Sequence, residues 1–216
     1  INLLPNDGSA PSGLQTALLA NEQSPEYEVL SKLGAGSMGI VYHAKQLSLN
    51  RELAIKTLQP KADFSDHDQA MFVSEAVVTA NLVHPNIVPI HDLGRTPDGK
   101  LFYSMKKVTG VAWQDVIRQR SLEENLDIFM KVCDAVAYAH SRGVINRDLK
   151  PENVVVGSYG EVVVLDWGIA VTTELFEKRK SILQDFRGGA GTPVYMAPEL
   201  ADPDISRVGT HSDIYL

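Results

Sequence analysis

The sequence predicts an α+β protein in two lobes, the first rich in strands and the second mostly helical. Short apolar runs separated by turn residues fill the stretch from Tyr27 to about residue 105. Helical periodicity takes over after Gly110. Between residues 146 and 168 a dense set of polar residues is strung along a loop and a short hairpin, in the helical half.

Residues 1–25 are rich in Pro, Gly, Ser, Asn and Gln, and only 14–20 hint at a helix, so this stretch reads as a flexible arm. The strand-rich lobe takes residues 26–105. Strands are expected at 27–30, 40–44 and 53–56, then a helix over 65–82. In that helix Phe72, Val73, Ala76, Val77 and Ala80 form the apolar stripe, while Asp66, Asp68 and Glu75 stay polar. Strands at 87–93 and 100–105 flank the turn Pro97-Asp98-Gly99. Residues 106–110 read as a hinge and 111–216 as a partial helical lobe. There Ser121 and Glu124 have the spacing of a capping box, followed by Leu126, Phe129, Met130, Cys133, Val136 and Ala137 at helical spacing. Gly143 is the expected stop. Strands at 154–156 and 162–165 flank Ser158-Tyr159-Gly160 as a hairpin. The polar stretch 171–190 has no clean period and is longer than a routine connector, a mark of functional mobility.

Composition narrows the function. With 44% hydrophobic and 22% charged residues, the 216-residue chain has enough apolar material for a core. A net charge of -7 argues against a general nucleic-acid binder. The single Cys133 excludes an intrachain disulfide framework and a thiolate metal site, and fits a reducing compartment. No apolar run is long enough to span a bilayer, and no signal segment is visible, so no membrane contact by this chain is expected. The expected location is cytoplasmic, either as a free protein or as the cytoplasmic part of a longer membrane-attached one.

Gly34-Ala35-Gly36-Ser37-Met38-Gly39 lies between two strand-like runs. Glycines let a backbone pass close over phosphates. A dinucleotide fold needs a helix after such a loop, and Ile40-Val41-Tyr42 reads as strand, which leaves a phosphate-covering hairpin or an ordinary glycine-rich turn. Lys56 closes an apolar strand, where a lysine usually snorkels to the surface. An ammonium serving phosphates there needs an anionic brace, and Glu75 in the next helix can supply it. Asp148 can orient a hydroxyl, Lys150 can neutralise a transferring phosphoryl group, and Asn153 and Asp166 offer hard oxygens to magnesium. A plain polar turn followed by a hairpin would not require that set of residue types.

Together, Gly34-x-Gly36-x-x-Gly39-x-Val41, Ala54-Ile55-Lys56, Asn146-Arg147-Asp148-Leu149-Lys150-Pro151-Glu152-Asn153, Asp166-Trp167-Gly168 and Ala197-Pro198-Glu199 resemble the eukaryotic-type (Hanks-type) protein kinase family, in its order. The resemblance covers residues 27–216 and leans toward bacterial members. Lys150 and the run Gly191-Thr192-Pro193-Val194-Tyr195-Met196-Ala197-Pro198-Glu199 resemble the serine/threonine branch. It implies a bilobal kinase fold with an incomplete helical lobe, and transfer of the ATP γ-phosphoryl group to protein hydroxyls. ATP and Mg2+ are the implied cofactors, with Mn2+ as a substitute. Catalysis would fall to Asp148, Lys150, Lys56 and Glu75, with Asn153 and Asp166 on the metal. Leu33, Gly34, Ala35, Gly36, Ser37, Met38 and Gly39 would cover the nucleotide. Val41, Ala54 and Val155 would sandwich adenine, Met105 would back it, and the chain from Lys106 to Val108 would hydrogen-bond it. Thr192 would line the substrate groove, inside an activation segment spanning 166–199. Thr172, Thr173 and Ser181 would be phosphate acceptors read by Arg147, with Arg179, Lys180 and Arg187 nearby. Glu199 would pair with an arginine beyond residue 216, and Asp213 would brace the catalytic loop.

Departures from the family pattern bear on switching. Asn146 stands where histidine is usual, Trp167 where phenylalanine is usual, and Thr79 is a polar member of the same internal column. Lys106 replaces a common acidic hinge residue. The chain stops where the family continues with further helices, which leads to the expectation of a fragment. The implied partners are a protein with a Ser/Thr acceptor and a second copy for autophosphorylation, with no nucleic acid. Two other classes fit part of the pattern. One is a pseudokinase, a nucleotide-sensitive interaction module without turnover. The other is a small-molecule phosphotransferase, against which residues 191–199 weigh.

Overall fold

The computed structural model describes residues 26–36, 39–58, 65–168, 170–172, 191–202 and 205–216. The chain divides into two compact units, one taking residues up to Ala76 together with Pro89–Lys107, the other taking Val77–Val88 and Val108–Leu216. The expected arm at 1–25 lies outside the described residues.

The first unit is an antiparallel sheet of β1 (Tyr27–Ala35), β2 (Gly39–Gln46), β3 (Arg51–Leu58), β4 (Ile90–Arg95) and β5 (Leu101–Met105), in the order β1-β2-β3-β5-β4. Period-two alternation gives its faces different work. Tyr27, Ala44, Leu53, Ile55 and Phe102 form one apolar cluster. Leu58, Leu101 and Tyr103 form another, into which α1 (Asp66–Ala80) inserts Phe72 and Ala76.

The inward face of α1 keeps Phe72, Val73 and Ala76 of the expected stripe but not the rest. Phe72, Glu75, Ala76, Val78 and Thr79 are buried, while Val77 and Ala80 are exposed. Glu75 takes an inward position that hydrophobicity alone assigns to its neighbours, because it has a lysine to meet there. The apolar run at 87–93 is also divided. Strand β4 begins only at Ile90, whereas Ile87 and Val88 are buried and pair with Val164 in the second unit.

The second unit holds a sheet of β6 (Gly110–Ala112), β8 (Val154–Gly157) and β9 (Val162–Val164), and a pair formed by β7 (Val144–Ile145) and β10 (Val171–Thr172). Among the described residues its α-helices are α2 (Trp113–Val116), α3 (Leu122–Ser141) and α4 (Thr210–Tyr215). Both hydrogen bonds of the capping box at the N-terminus of α3 are formed. Glu124 N–H donates to Ser121 Oγ at 3.2 Å, and Ser121 N–H donates to Glu124 Oε2 at 2.8 Å. These bonds hold the Glu124 carboxyl below its ordinary pKa, the backbone bond from Ser121 being the largest cause. Gly143, at φ 71°, ends the helix in the left-handed region.

The face that α3 buries shares Val136 with the expected one and otherwise differs from it. Ile128, Val132, Ala135, Val136 and Ala139 enter the core beside Trp113, Val154, Val164 and Trp167. Leu126, Phe129 and Met130 are instead 50%, 49% and 59% exposed. The helix carries two apolar stripes about a residue out of step, and periodicity cannot say which one a core takes.

Candidate active site

Predicted site residues fall in both units. In the first, β1 and β2 run together to the pairs Gly34↔Val41 and Ala35↔Ile40, and Gly36 N–H closes the turn on Gly39 C=O at 2.8 Å. Gly39 is required by packing, since a Cβ there would lie 2.6 Å from Thr57 O, whereas one at Gly36 would meet nothing within 4 Å. Leu33 is half-buried, Gly34 buried and Ala35 exposed. Ser37 and Met38 lie outside the described residues.

Register collects the remaining residues of this half on one face. Val41 pairs with Lys56 and Lys56 with Tyr103; one step along, His43 pairs with Ala54 and Ala54 with Met105. Val41, Ala54, Lys56 and Met105 therefore share the face opposite Leu53 and Ile55. Lys56 Nζ donates to Glu75 Oε1 at 2.6 Å, with both side chains largely buried. Tyr103 Oη donates to the same oxygen at 2.7 Å. Motif reading missed Tyr103; only the β3–β5 register reveals it as the neighbour of Lys56. Lys106 commits its N–H to Pro89 C=O at 3.0 Å. Its neighbour Lys107 reaches Glu52 at 2.6 Å, a bond that leads the causes holding the Glu52 carboxyl below its ordinary pKa.

In the second unit the loop after β7 is held from several sides. Asp213 on α4 accepts from Asn146 N–H through Oδ2 and from Arg147 N–H through Oδ1, each at 2.8 Å, and His140 Nε2 lies 2.8 Å from Oδ2. Between these bonds Arg147 adopts φ 70°, a left-handed conformation uncommon outside glycine. Arg147 is buried, and desolvation brings its guanidinium pKa down to about 10 against the opposing pull of Asp213.

Asp148 engages both carboxylate oxygens. Lys150 Nζ donates to Oδ2 at 2.8 Å and Thr192 Oγ1 to Oδ1 at 2.8 Å, while Lys150 Nζ also reaches Thr192 Oγ1 at 2.6 Å. Gly191 allows that approach, because a Cβ there would lie 2.9 Å from Arg147 O. Asn153 Nδ2 donates to Asp148 C=O at 3.0 Å, and Asn153 C=O accepts from Leu165 N–H at 2.9 Å, which ties the loop to the residue preceding Asp166. Asp166 Oδ1 accepts from Gly168 N–H at 2.9 Å. Val155 turns away from the core that takes Val154 and Val156, and Val108 is half-buried.

The unusual residues fit this half in definite ways. Asn146, only 1% exposed, donates from Nδ2 to Asp166 C=O at 3.0 Å and accepts Asp148 N–H on Oδ1 at 3.0 Å. Trp167 is buried in the core, where its indole N–H has no acceptor among the described residues. Glu199 accepts from Ser212 Oγ at 2.6 Å and lies 3.4 Å from His211 Nε2. Thr172 lies in β10, while Thr173, Arg179, Lys180, Ser181 and Arg187 fall outside the described residues.

The donor chemistry suits a hard cation. Among the described residues no group of three or more His, Cys, Asp or Glu could hold a metal. With its amide nitrogen occupied, Asn153 presents an amide oxygen, and Asp166 supplies a carboxylate. One carboxylate and one amide oxygen, completed by phosphate and water, make a set that Mg2+ accepts.

Comparison with known proteins agrees with this geometry. The protein kinase domain model matches residues 27–215. The chain belongs to the protein kinase domain family. It is 35% identical over 223 residues to the serine/threonine-protein kinase PknD of Protochlamydia amoebophila, covering 89% of this chain and 22% of that protein. The PknD of Chlamydia caviae is 35% identical over 200 residues, covering 80% of this chain and 21% of the relative. The chain thus spans about a fifth of the length of these relatives. Among solved structures, the Mycobacterium tuberculosis PknI kinase domain (C20A mutant) matches with a TM-score of 0.65 and 31% identity, over 95% of this chain and 72% of that one. Among the described residues no helix is long and apolar enough to cross a membrane.

Proposed function

We propose that the chain is catalytic core of an ATP-dependent serine/threonine protein kinase. The observation that carries this reading is the engagement of both Asp148 oxygens, one by Lys150 and one by Thr192. A carboxylate held in that way is oriented to receive the proton of an acceptor hydroxyl as its oxygen attacks the γ-phosphorus. The Lys150 ammonium lies beside the same carboxylate and neutralises charge on the transferring group. Thr192, in the segment resembling a protein-substrate groove, links that segment to the carboxylate. Lys56 binds the α- and β-phosphates, braced by Glu75. The family resemblance assigns the adenine contacts to Val41, Ala54, Met105 and Val155, and its hydrogen bonds to the chain from Lys106 to Val108.

Magnesium, held by Asp166 and Asn153, supplies neutralisation of phosphate charge. Manganese has the same ligand preferences and would substitute. The substrate is a protein bearing a serine or threonine hydroxyl, and a second copy of the chain is a candidate acceptor through Thr172, Thr173 or Ser181. The proposed location is cytoplasmic, either as a free protein or as the cytoplasmic part of a longer membrane-attached one.

The test incubates the chain with γ-labelled ATP, Mg2+ and a generic Ser/Thr protein substrate, beside an Asp148→Asn copy. Label transfer that the substitution abolishes supports the reading. Magnesium-dependent ATP binding without transfer would instead assign a nucleotide-sensitive interaction module.

A further inference from the structure

Glu75 Oε1 receives Lys56 Nζ and Tyr103 Oη at almost equal distances, 2.6 and 2.7 Å. We propose that Tyr103 is a positioning residue for the nucleotide-binding lysine, acting through Glu75; this rests on the kinase reading above. Tyr103 and Glu75 are 4% and 5% exposed, so neither bond is diluted by water. The phenol ring is fixed from two directions. It packs against Phe72 with centroids 5.1 Å apart, and Lys56 Nζ lies 5.7 Å from its centre. Phe72 precedes Glu75 by one helical turn, so the same ring holds α1 by a contact and by a hydrogen bond.

The chemistry gives the second donor a purpose. Phosphate and Glu75 compete for the Lys56 ammonium. As that ammonium turns toward phosphate, a buried carboxylate would lose part of its compensation. The Tyr103 hydroxyl is neutral, is not attracted away by phosphate, and keeps Glu75 in place while the lysine is shared. The strand β5 thereby sets the position of α1 from inside the first unit.

Tyr103→Phe removes the hydroxyl and keeps the ring against Phe72, so the variant retains a cooperative thermal melt. MgATP affinity by titration calorimetry and the KM and kcat of phosphoryl transfer are measured for the wild-type chain, Tyr103→Phe, Glu75→Gln and the double variant. Loss of a hydrogen bond to a charged group predicts roughly tenfold weaker MgATP binding for Tyr103→Phe, with KM raised more than kcat is lowered. In the Glu75→Gln background the same change adds less than about twofold, since coupled residues are not additive. Wild-type binding matched by Tyr103→Phe, or an equal loss in both backgrounds, overturns the role of Tyr103 and leaves the kinase reading standing. A wild-type chain that binds no MgATP overturns both.

Discussion

In the second unit the groups around Asp148 come largely from its own loop, with Lys150 two residues away and Asn153 five. In the first, Lys56, Glu75 and Tyr103 come from β3, α1 and β5, with Glu75 separated from its two donors by 19 and 28 residues. The loop can be recognised from a short string of residues, because Lys150 and Asn153 are close to Asp148 in the chain, even though Thr192 and Asp213 are distant. The lysine half exists only when the sheet register and the seating of α1 are both correct. A lesion in the loop should therefore disable chemistry in a folded protein, whereas a lesion in the lysine half should also loosen its unit.

The largest expected effect tests the first clause of that contrast. Asp148→Asn should lower kcat by roughly a thousandfold while leaving the thermal melt within about a degree of wild type, as loss of a positioned base without loss of packing requires. A residual rate near a tenth of wild type would break the comparison. Glu75→Ala tests the other clause. Removing one partner of a buried ion pair costs about 3–5 kcal/mol, so denaturant unfolding should show a large fall in stability alongside lost ATP affinity. An unchanged midpoint would mean that the lysine half is no more demanding of the fold than the loop.

Asn146→Ala should fall between the two halves. It strips hydrogen bonds from Asp166 C=O and Asp148 N–H in a buried setting and should cost about 1–3 kcal/mol, read as a shift in denaturation midpoint. The smallest effects lie far from either half. Ser121→Ala should cost about 1 kcal/mol through the lost cap on α3. Glu124 adds a pH signature to the same cap. Its folded-state pKa lies below the unfolded one, so its contribution is present above the unfolded value and lost as pH falls through the folded one. The melting difference between wild type and Glu124→Ala should accordingly narrow in acid.

The positions of the longer strands, the cap of α3 and the loop at 146–153 are legible because local spacing, caps and turn residues determine them. Helix faces are less so. On α1 the inward position goes to Glu75 in place of Val77, since a buried lysine needs an anion more than the core needs another valine. On α3 Ile128 and Val132 compete with Leu126, Phe129 and Met130, and the strands beneath the helix decide. Ile87 and Val88 read as the start of β4 because both are apolar and β-branched, yet they pair with Val164. Tyr103 carried no motif, and its meaning depends on being opposite Lys56 across two strands.

Asn146 has a consequence for the timing of protons. Its carboxamide couples the backbone of Asp148 to that of Asp166 through a donor and an acceptor that stay what they are from about pH 5 to 8, where an imidazole would gain or lose charge. The spacing of the Asp148 and Asp166 backbones is thus kept by a group blind to acidity. Acidification over that range would leave the joint between the two aspartates unaltered.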